Sequence, residues 1–310
     1  MPEYRAVRAK LGFLELCRNP DAAAEVTVTA VERLGVDAAI IFADILLVLE
    51  PMGVGLSFAA GDGPAIHRPV RSAADVDGLA EVDPAALAYV YEAVRKAKAA
   101  LDVPLIGFAG APFTLASYLV EGGGSHGWNR TRAFLHADPG AWDAMMAKLV
   151  RAVAGYVNAQ IAAGADAVQL FDSWVGSLAP ADYRARVLPH MRALFAALTP
   201  GVPVIHFGTG TAGLLEAMRA AGGDVIGVDW RVDLDAAWAR VGHDVAIQGN
   251  LDPAALLAPI PAIRERAAAI LGQAAGRPGH VFNLGHGVLP ETPVDHVRAL
   301  VDAVHELSRR

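Results

Sequence analysis

Short apolar, often β-branched runs recur along the chain, each closing on Gly, Asp, Ser or His. Longer Ala-rich stretches of helical period separate them. The runs predict strands over 37–45, 104–110, 167–173, 202–208, 225–230, 245–250 and 280–286. Between them the pattern predicts helices such as 139–163, 179–198 and 252–275, many opened by the Pro or Asp-Pro that starts a helix. Strands that are apolar on both faces and alternate with helices belong to a parallel sheet covered on both sides. The pattern runs through 1–310 without a Pro/Gly/Ser linker, which favours a single closed barrel domain over two open sheets. A (β/α)8 TIM barrel needs eight strands, and seven are countable. The helical pattern over 20–35 precedes the first of them, so the expectation is a barrel whose first strand is missing and an N-terminus that is cut.

Composition narrows the function classes. Of 310 residues, 54% are apolar and 19% charged, enough to fill a large core and leave apolar surface for an oligomer, most simply a homodimer. A net charge of −7 with no basic run argues against a nucleic-acid partner. The start of the chain is charged and has no apolar signal segment. The longest apolar stretch, 38–49, is interrupted by Asp44, so no membrane span is expected. One cysteine, Cys17, forbids an internal disulfide and multi-cysteine metal sites, which suits the cytoplasm.

In a parallel barrel, chemistry collects where the strands end. Those ends carry Asp44, Gly110, Asp172 with Ser173, His206, Asp229, Asn250 and His286. Asp44 stands between Ile40-Ile41-Phe42-Ala43 and Ile45-Leu46-Leu47, so it is either a carboxylate facing a cavity or a cap satisfied by backbone N–H groups. His286, bracketed by Gly285 and Gly287, is either a ligand-facing imidazole or one bonded to a neighbouring carbonyl. Gly208-Thr209-Gly210-Thr211-Ala212-Gly213, with Asp229 about 20 residues on, matches a dinucleotide fingerprint. Four βα units precede it, however, where the fingerprint normally opens its domain. Glu121-Gly122-Gly123-Gly124-Ser125 lacks the Lys-Ser/Thr of a phosphate loop and reads as a mobile lid or hinge. No His-Glu-x-x-His pair occurs, so neither metal nor nicotinamide is expected.

Three segments carry a resemblance. Phe42-Ala43-Asp44-Ile45-Leu46, Gly110-Ala111-Pro112-Phe113-Thr114-Leu115 through Tyr118 to Ser125, and Asn283-Leu284-Gly285-His286-Gly287 resemble uroporphyrinogen decarboxylases of haem biosynthesis, with strand order in step from Pro2 onwards. The resemblance implies a (β/α)8 barrel, usually a homodimer. It also implies removal of four acetate carboxyls from uroporphyrinogen III to give coproporphyrinogen III, without metal or organic cofactor. Position by position, Asp44 matches the family's central carboxylate, Tyr118 and Ser173 its hydroxyls near the substrate's side chains, and His286 its strand-eight imidazole. Arg68 and Arg130 are further candidates for binding carboxylates, by location only. Family members carry a strand and an Arg-Gln-Ala-Gly-Arg-Tyr segment directly before the residues matching Pro2-Glu3-Tyr4-Arg5, and this chain starts just after it. Two alternatives stand beside this reading: a corrinoid or thiol methyltransferase on the same barrel, and a paralogue that binds a tetrapyrrole without turnover.

Overall fold

A computed structural model describes residues 1–59 and 63–309. Seven parallel strands form the main sheet among these residues: β1 (Ala39–Ile40), β4 (Leu105–Gly110), β5 (Ala167–Asp172), β6 (Val204–Gly208), β7 (Val225–Gly227), β8 (Ala246–Leu251) and β9 (His280–Leu284). They pair in chain order, with β1 and β9 at the two ends. All seven coincide with sequence-predicted strands, most of them shorter at one or both ends.

The sheet curls on itself. Gln248 on β8 donates its side-chain amide to the Gln169 carbonyl on β5 at 3.1 Å, a bond that reaches past two intervening strands and marks the inner face. In register with Gln169 and Phe171 on β5 are Ile205 and Phe207 on β6, and Gly227 on β7 matches Phe207. Phe108, Phe171 and Phe207 meet edge to face inside, at 5.5 and 5.8 Å between ring centres. A Cβ on Gly227 would stand 2.9 Å from the Phe207 ring, so only glycine leaves room there. Asp172 and His206, one residue out of phase, point instead into the layer between strands and helices, and both are fully buried.

Helices cover the outside. Asp138 accepts the Ala141 N–H at 3.0 Å and starts the 24-residue helix Pro139–Ala162. From it, the Gln160 amide bonds both the N–H and the carbonyl of Phe108, at 2.9 and 2.8 Å, locking helix to β4. The predicted helix over 179–198 is two, Pro180–Arg186 and Leu188–Ala197, because Pro189 has no N–H to continue the first. Likewise 252–275 is a short 3₁₀ turn, Pro253–Leu257, followed by the helix Ile260–Ala274. The last helix, Val294–Leu307, packs against Pro20–Leu34, and His305 meets Asp37 at 3.0 Å. The helical layer therefore comes together outside β1 and β9, whereas those strands do not pair with each other. Ile40 and Val281, one on each free edge, are both 44% exposed.

One element escaped the sequence pattern. β2 (Leu56–Ala59) and β3 (Gly63–Ile66) form an antiparallel hairpin, masked in the sequence by Pro64 and by a run too short to alternate. Its Ile66 N–H bonds the Gly122 carbonyl at 2.9 Å, and Ala65 bridges to Gly123. Glu121 accepts from the Arg130 and Thr131 N–H groups at 3.0 and 3.1 Å. The expected lid at 121–125 is thus tied down at its start by two neighbouring elements.

Candidate active site

The sequence placed Asp44 at the end of a strand, but β1 stops at Ile40 and the chain turns away. Thr27 redirects it: its hydroxyl donates to the Ala23 carbonyl at 2.8 Å and accepts the Phe42 N–H at 2.9 Å. Asp44 follows in a tight turn, with Oδ1 accepting the Leu46 N–H at 2.8 Å. Part of the capping reading is therefore realised. Enclosure by the surrounding protein outweighs that bond and pushes the Asp44 carboxyl up to about 6. Among the described residues no Lys or Arg forms an ion pair with it.

Tyr118 lies on the helix Pro112–Glu121, which starts directly after β4 through Ala111 and Pro112. Burial raises its hydroxyl above the usual phenol range, and the nearby charge of Asp44 acts in the same direction. Its ring meets Trp128 and Trp174 edge to face at 5.4 and 6.2 Å, and the two indoles lie 4.9 Å apart. Trp128 reaches this position from a left-handed backbone (φ 53°), held by its own N–H bonding the Ser125 hydroxyl at 3.2 Å.

Tyr118, Trp128, Ser173 and Trp174 line a cleft of about 570 Å³, joined by Ser125, His126, Thr209 and Arg231. Ser173 and Trp174 follow β5 and are held from behind. The Thr114 hydroxyl donates to Asp172 Oδ1 at 3.0 Å and accepts the Trp174 N–H at 3.3 Å. Asp172 Oδ2 has no hydrogen-bond partner among the described residues, and complete burial pushes this carboxyl up to about 7.

His286 stands beyond the end of β9, exposed overall, with its ring edge-on to Phe207 at 6.5 Å. Its Nδ1 accepts the Gly287 N–H at 2.6 Å, which places the proton of a neutral ring on Nε2. Partial cover and the positive charge of Arg231 lower its affinity for a second proton, offset in part by Asp229. A Cβ on Gly285 would lie 2.7 Å from the Trp230 N, so glycine lets the His286 loop rest against the Asp229-Trp230 backbone.

The four sequence-predicted residues thus divide. Tyr118 and Ser173 share a cleft, Asp44 acts on Tyr118 through its charge, and His286 does not line the cleft but feels the charge of Arg231, which does. Arg68 and Arg130 are exposed and do not line the cleft, because each lies on a segment that the hairpin or the Gly-rich loop carries outward. Sequence reasoning missed Arg231 and the two tryptophans. Their signal was adjacency, since Trp174 follows Ser173 and Arg231 follows Asp229-Trp230. The dinucleotide fingerprint is occupied from within: Asp229 Oδ2 takes the Gly210 N–H at 2.7 Å, and the Thr209 hydroxyl donates to the Ser173 carbonyl.

The family signature described as "Uroporphyrinogen decarboxylase (URO-D)" matches residues 1–307. A protein named "Uroporphyrinogen decarboxylase" from Sorangium cellulosum (strain So ce56) is 57% identical, aligning 100% of this chain with 89% of that one. One of the same name from Roseiflexus sp. (strain RS-1) is 53% identical over 99% of this chain and 91% of its own. Among solved structures, a methyltransferase from Methanosarcina mazei superposes with a TM-score of 0.84 at 21% identity, covering 98% of this chain and 91% of that chain. At that identity the likeness speaks for the fold alone.

Proposed function

The chain belongs to the uroporphyrinogen decarboxylase family, and from that membership we infer that it removes the four acetate carboxyls of uroporphyrinogen III to give coproporphyrinogen III in haem biosynthesis. The observation that carries the reading is Asp44, a carboxylate pushed up to about 6 by its enclosure and paired with no Lys or Arg among the described residues. Such a group calls for donors or positive charge from a ligand. A porphyrinogen supplies both, with four pyrrole N–H groups turned inward and a ring that becomes cationic during reaction. An ionised carboxylate offers about four acceptor positions. The Leu46 N–H takes one, so the four pyrrole donors must share those that remain.

Loss of CO₂ needs a sink for electrons. A proton adds to the pyrrole α-carbon next to the carbon bearing the acetate, and the ring becomes a cation. The bond to the carboxylate breaks, CO₂ leaves, and its electron pair neutralises the ring as an exocyclic methylene. A second proton converts the methylene to methyl, and the ring proton departs. Asp44 stabilises the cationic stage more than the neutral substrate, which is differential binding of the transition state. At the periphery, the hydroxyls of Tyr118 and Ser173 and the Nε2–H of His286 donate to carboxylates of the substrate.

The reading treats residues 1–310 as one functional unit that works in the cytoplasm as a homodimer, supported by the single cysteine and by apolar content out of proportion to charge. Among the described residues no helix is long and apolar enough to cross a membrane. Sedimentation should give twice the monomer mass, and a monomer at micromolar concentration would remove the dimer from the reading. The central test is anaerobic conversion of uroporphyrinogen III by the wild-type chain and by Asp44→Asn. The variant should lose roughly a hundredfold or more in kcat while keeping its fold. Equal rates would end the assignment of Asp44, and a wild-type protein that binds without turnover would be a tetrapyrrole carrier.

A further inference from the structure

The cleft holds a cation that none of the assignments above uses. Among the described residues Arg231 is the sole Arg or Lys that lines it. Its guanidinium lies 4.2 Å from the centre of the Trp230 ring, and Nη1 donates to Oδ2 of Asp229. The same carboxylate accepts the backbone N–H of Arg231 at 3.2 Å and that of Gly210 at 2.7 Å. Asp229 is 1% exposed, whereas the Arg231 side chain is 52% exposed. One end of the ion pair is therefore anchored in the barrel and the other is presented to the cleft.

A guanidinium has five N–H donors. Among the described residues one of them is committed, to Asp229. The stacking on Trp230 and the bond to Asp229 fix the plane of the fork before any ligand arrives, so little side-chain freedom remains to be lost on binding. Gly285 rests against the Trp230 backbone next to Arg231, and the Arg231 charge lowers the pKa of His286, so a neutral N–H donor lies in the same strand-end region as the cation. A planar fork beside a second donor matches a carboxylate.

Resting on the proposed function, we propose that Arg231 is a substrate-binding residue that clamps one peripheral carboxylate of the porphyrinogen, with Asp229 and Trp230 as its positioning residues. The rival description, a structural ion pair that merely fastens the Gly210 loop, uses one edge of the fork and gives no reason for the rest of it to face the cleft.

The test separates binding from turnover. Trp128 and Trp174 line the cleft, so anaerobic quenching of tryptophan fluorescence reports the Kd for uroporphyrinogen III. Arg231→Gln should raise Kd and KM about tenfold to hundredfold, the worth of one charge-assisted contact. Arg231→Lys should recover part of the loss, because it keeps the charge without the fork. Added salt should weaken the wild type more steeply than the Gln variant. Because Arg231 also neutralises a buried carboxylate, the double variant Arg231→Gln with Asp229→Asn is measured alongside, and the same loss of affinity is expected from it. A folded Gln variant with Kd within twofold of a wild type that binds and turns over substrate overturns the clamp and leaves the decarboxylase reading standing. A wild type that binds without turnover ends the decarboxylase reading while Kd still decides the clamp. A wild type that neither binds nor converts the porphyrinogen overturns both.

Discussion

Three enclosed side chains have pKa values moved away from their ordinary range, and each makes stability or activity depend on pH. His206 is fully buried on the outer face of β6 against Phe195, at 5.3 Å between ring centres. Neither ring nitrogen has a well-formed hydrogen bond, and burial lowers its pKa from 6.5 to about 4, offset only in part by the nearby Met218 and Gly222 backbone. The unfolded chain therefore takes up this proton first, and the stability present above pH 6.5 is lost as pH falls towards 4. Asp172 does the opposite. With its pKa raised to about 7, the folded chain holds the proton more tightly, so stability falls as pH rises from about 4 to 7. Over much of the same window the two slopes oppose each other. His206→Leu should accordingly be most stabilised relative to wild type at pH 4 and below, with the difference shrinking to a constant above 6.5. Urea unfolding across that range measures it, and a difference independent of pH would refute the neutral buried imidazole. With Asp44 in its proposed role and raised to about 6, kcat/KM should fall as pH drops through 6 and this carboxylate takes up its proton.

At the scale of elements, the wall of the site is positioned by contacts between neighbouring βα units. Thr114, in the first turn of Pro112–Glu121, joins Asp172 at the end of β5 to the Trp174 backbone just beyond it. Thr114→Val removes the hydroxyl that donates to the buried Asp172 and accepts the Trp174 N–H, which loosens the segment that carries Ser173. It should cost about 1 to 3 kcal/mol of stability and raise KM, whereas Thr114→Ser keeps the hydroxyl and should restore both. If the Ser variant behaves like the Val variant, packing of the methyl group rather than the hydroxyl holds the wall. The Gly-rich segment teaches a related lesson. Glu121-Gly122-Gly123-Gly124-Ser125 looks free when its own residues are considered alone, but Ile66 and Ala65 arrive from a hairpin more than fifty residues earlier and pair with it.

For the whole molecule, the inner and outer layers differ in how they end. The last helix packs against Pro20–Leu34 and its His305 pairs with Asp37 just before β1, while among the described residues β1 and β9 each present one edge with no strand beside it. Backbone groups on such edges meet water, and Ile40 and Val281 add exposed apolar surface. Amide hydrogens in 38–41 and 280–284 should therefore exchange with solvent well before those in 167–172 and 204–208, which lie between paired strands. Hydrogen exchange read by mass spectrometry decides this, and equal protection would mean that the edges are covered in solution.

The alternation of apolar runs with helical stretches was enough to locate all seven parallel strands and to predict a barrel, because strand burial and helix period are local properties written in consecutive residues. Asp44 and His286 stood out in the sequence as polar residues expected at strand ends, and Tyr118 and Ser173 through the family resemblance; the roles of all four remain those proposed. Partnership was not legible. That Asp44 lies off the strand depends on a hydroxyl fifteen residues away, and that Asp172 faces the helices depends on one residue of register. The cleft's cation was found at Arg231 rather than at Arg68 or Arg130 because side chains distant in sequence converge where strands end. Tertiary structure decided those matters, since charge, burial and hydrogen bonding are set by whatever folds against a residue, and that neighbour lies tens of residues away.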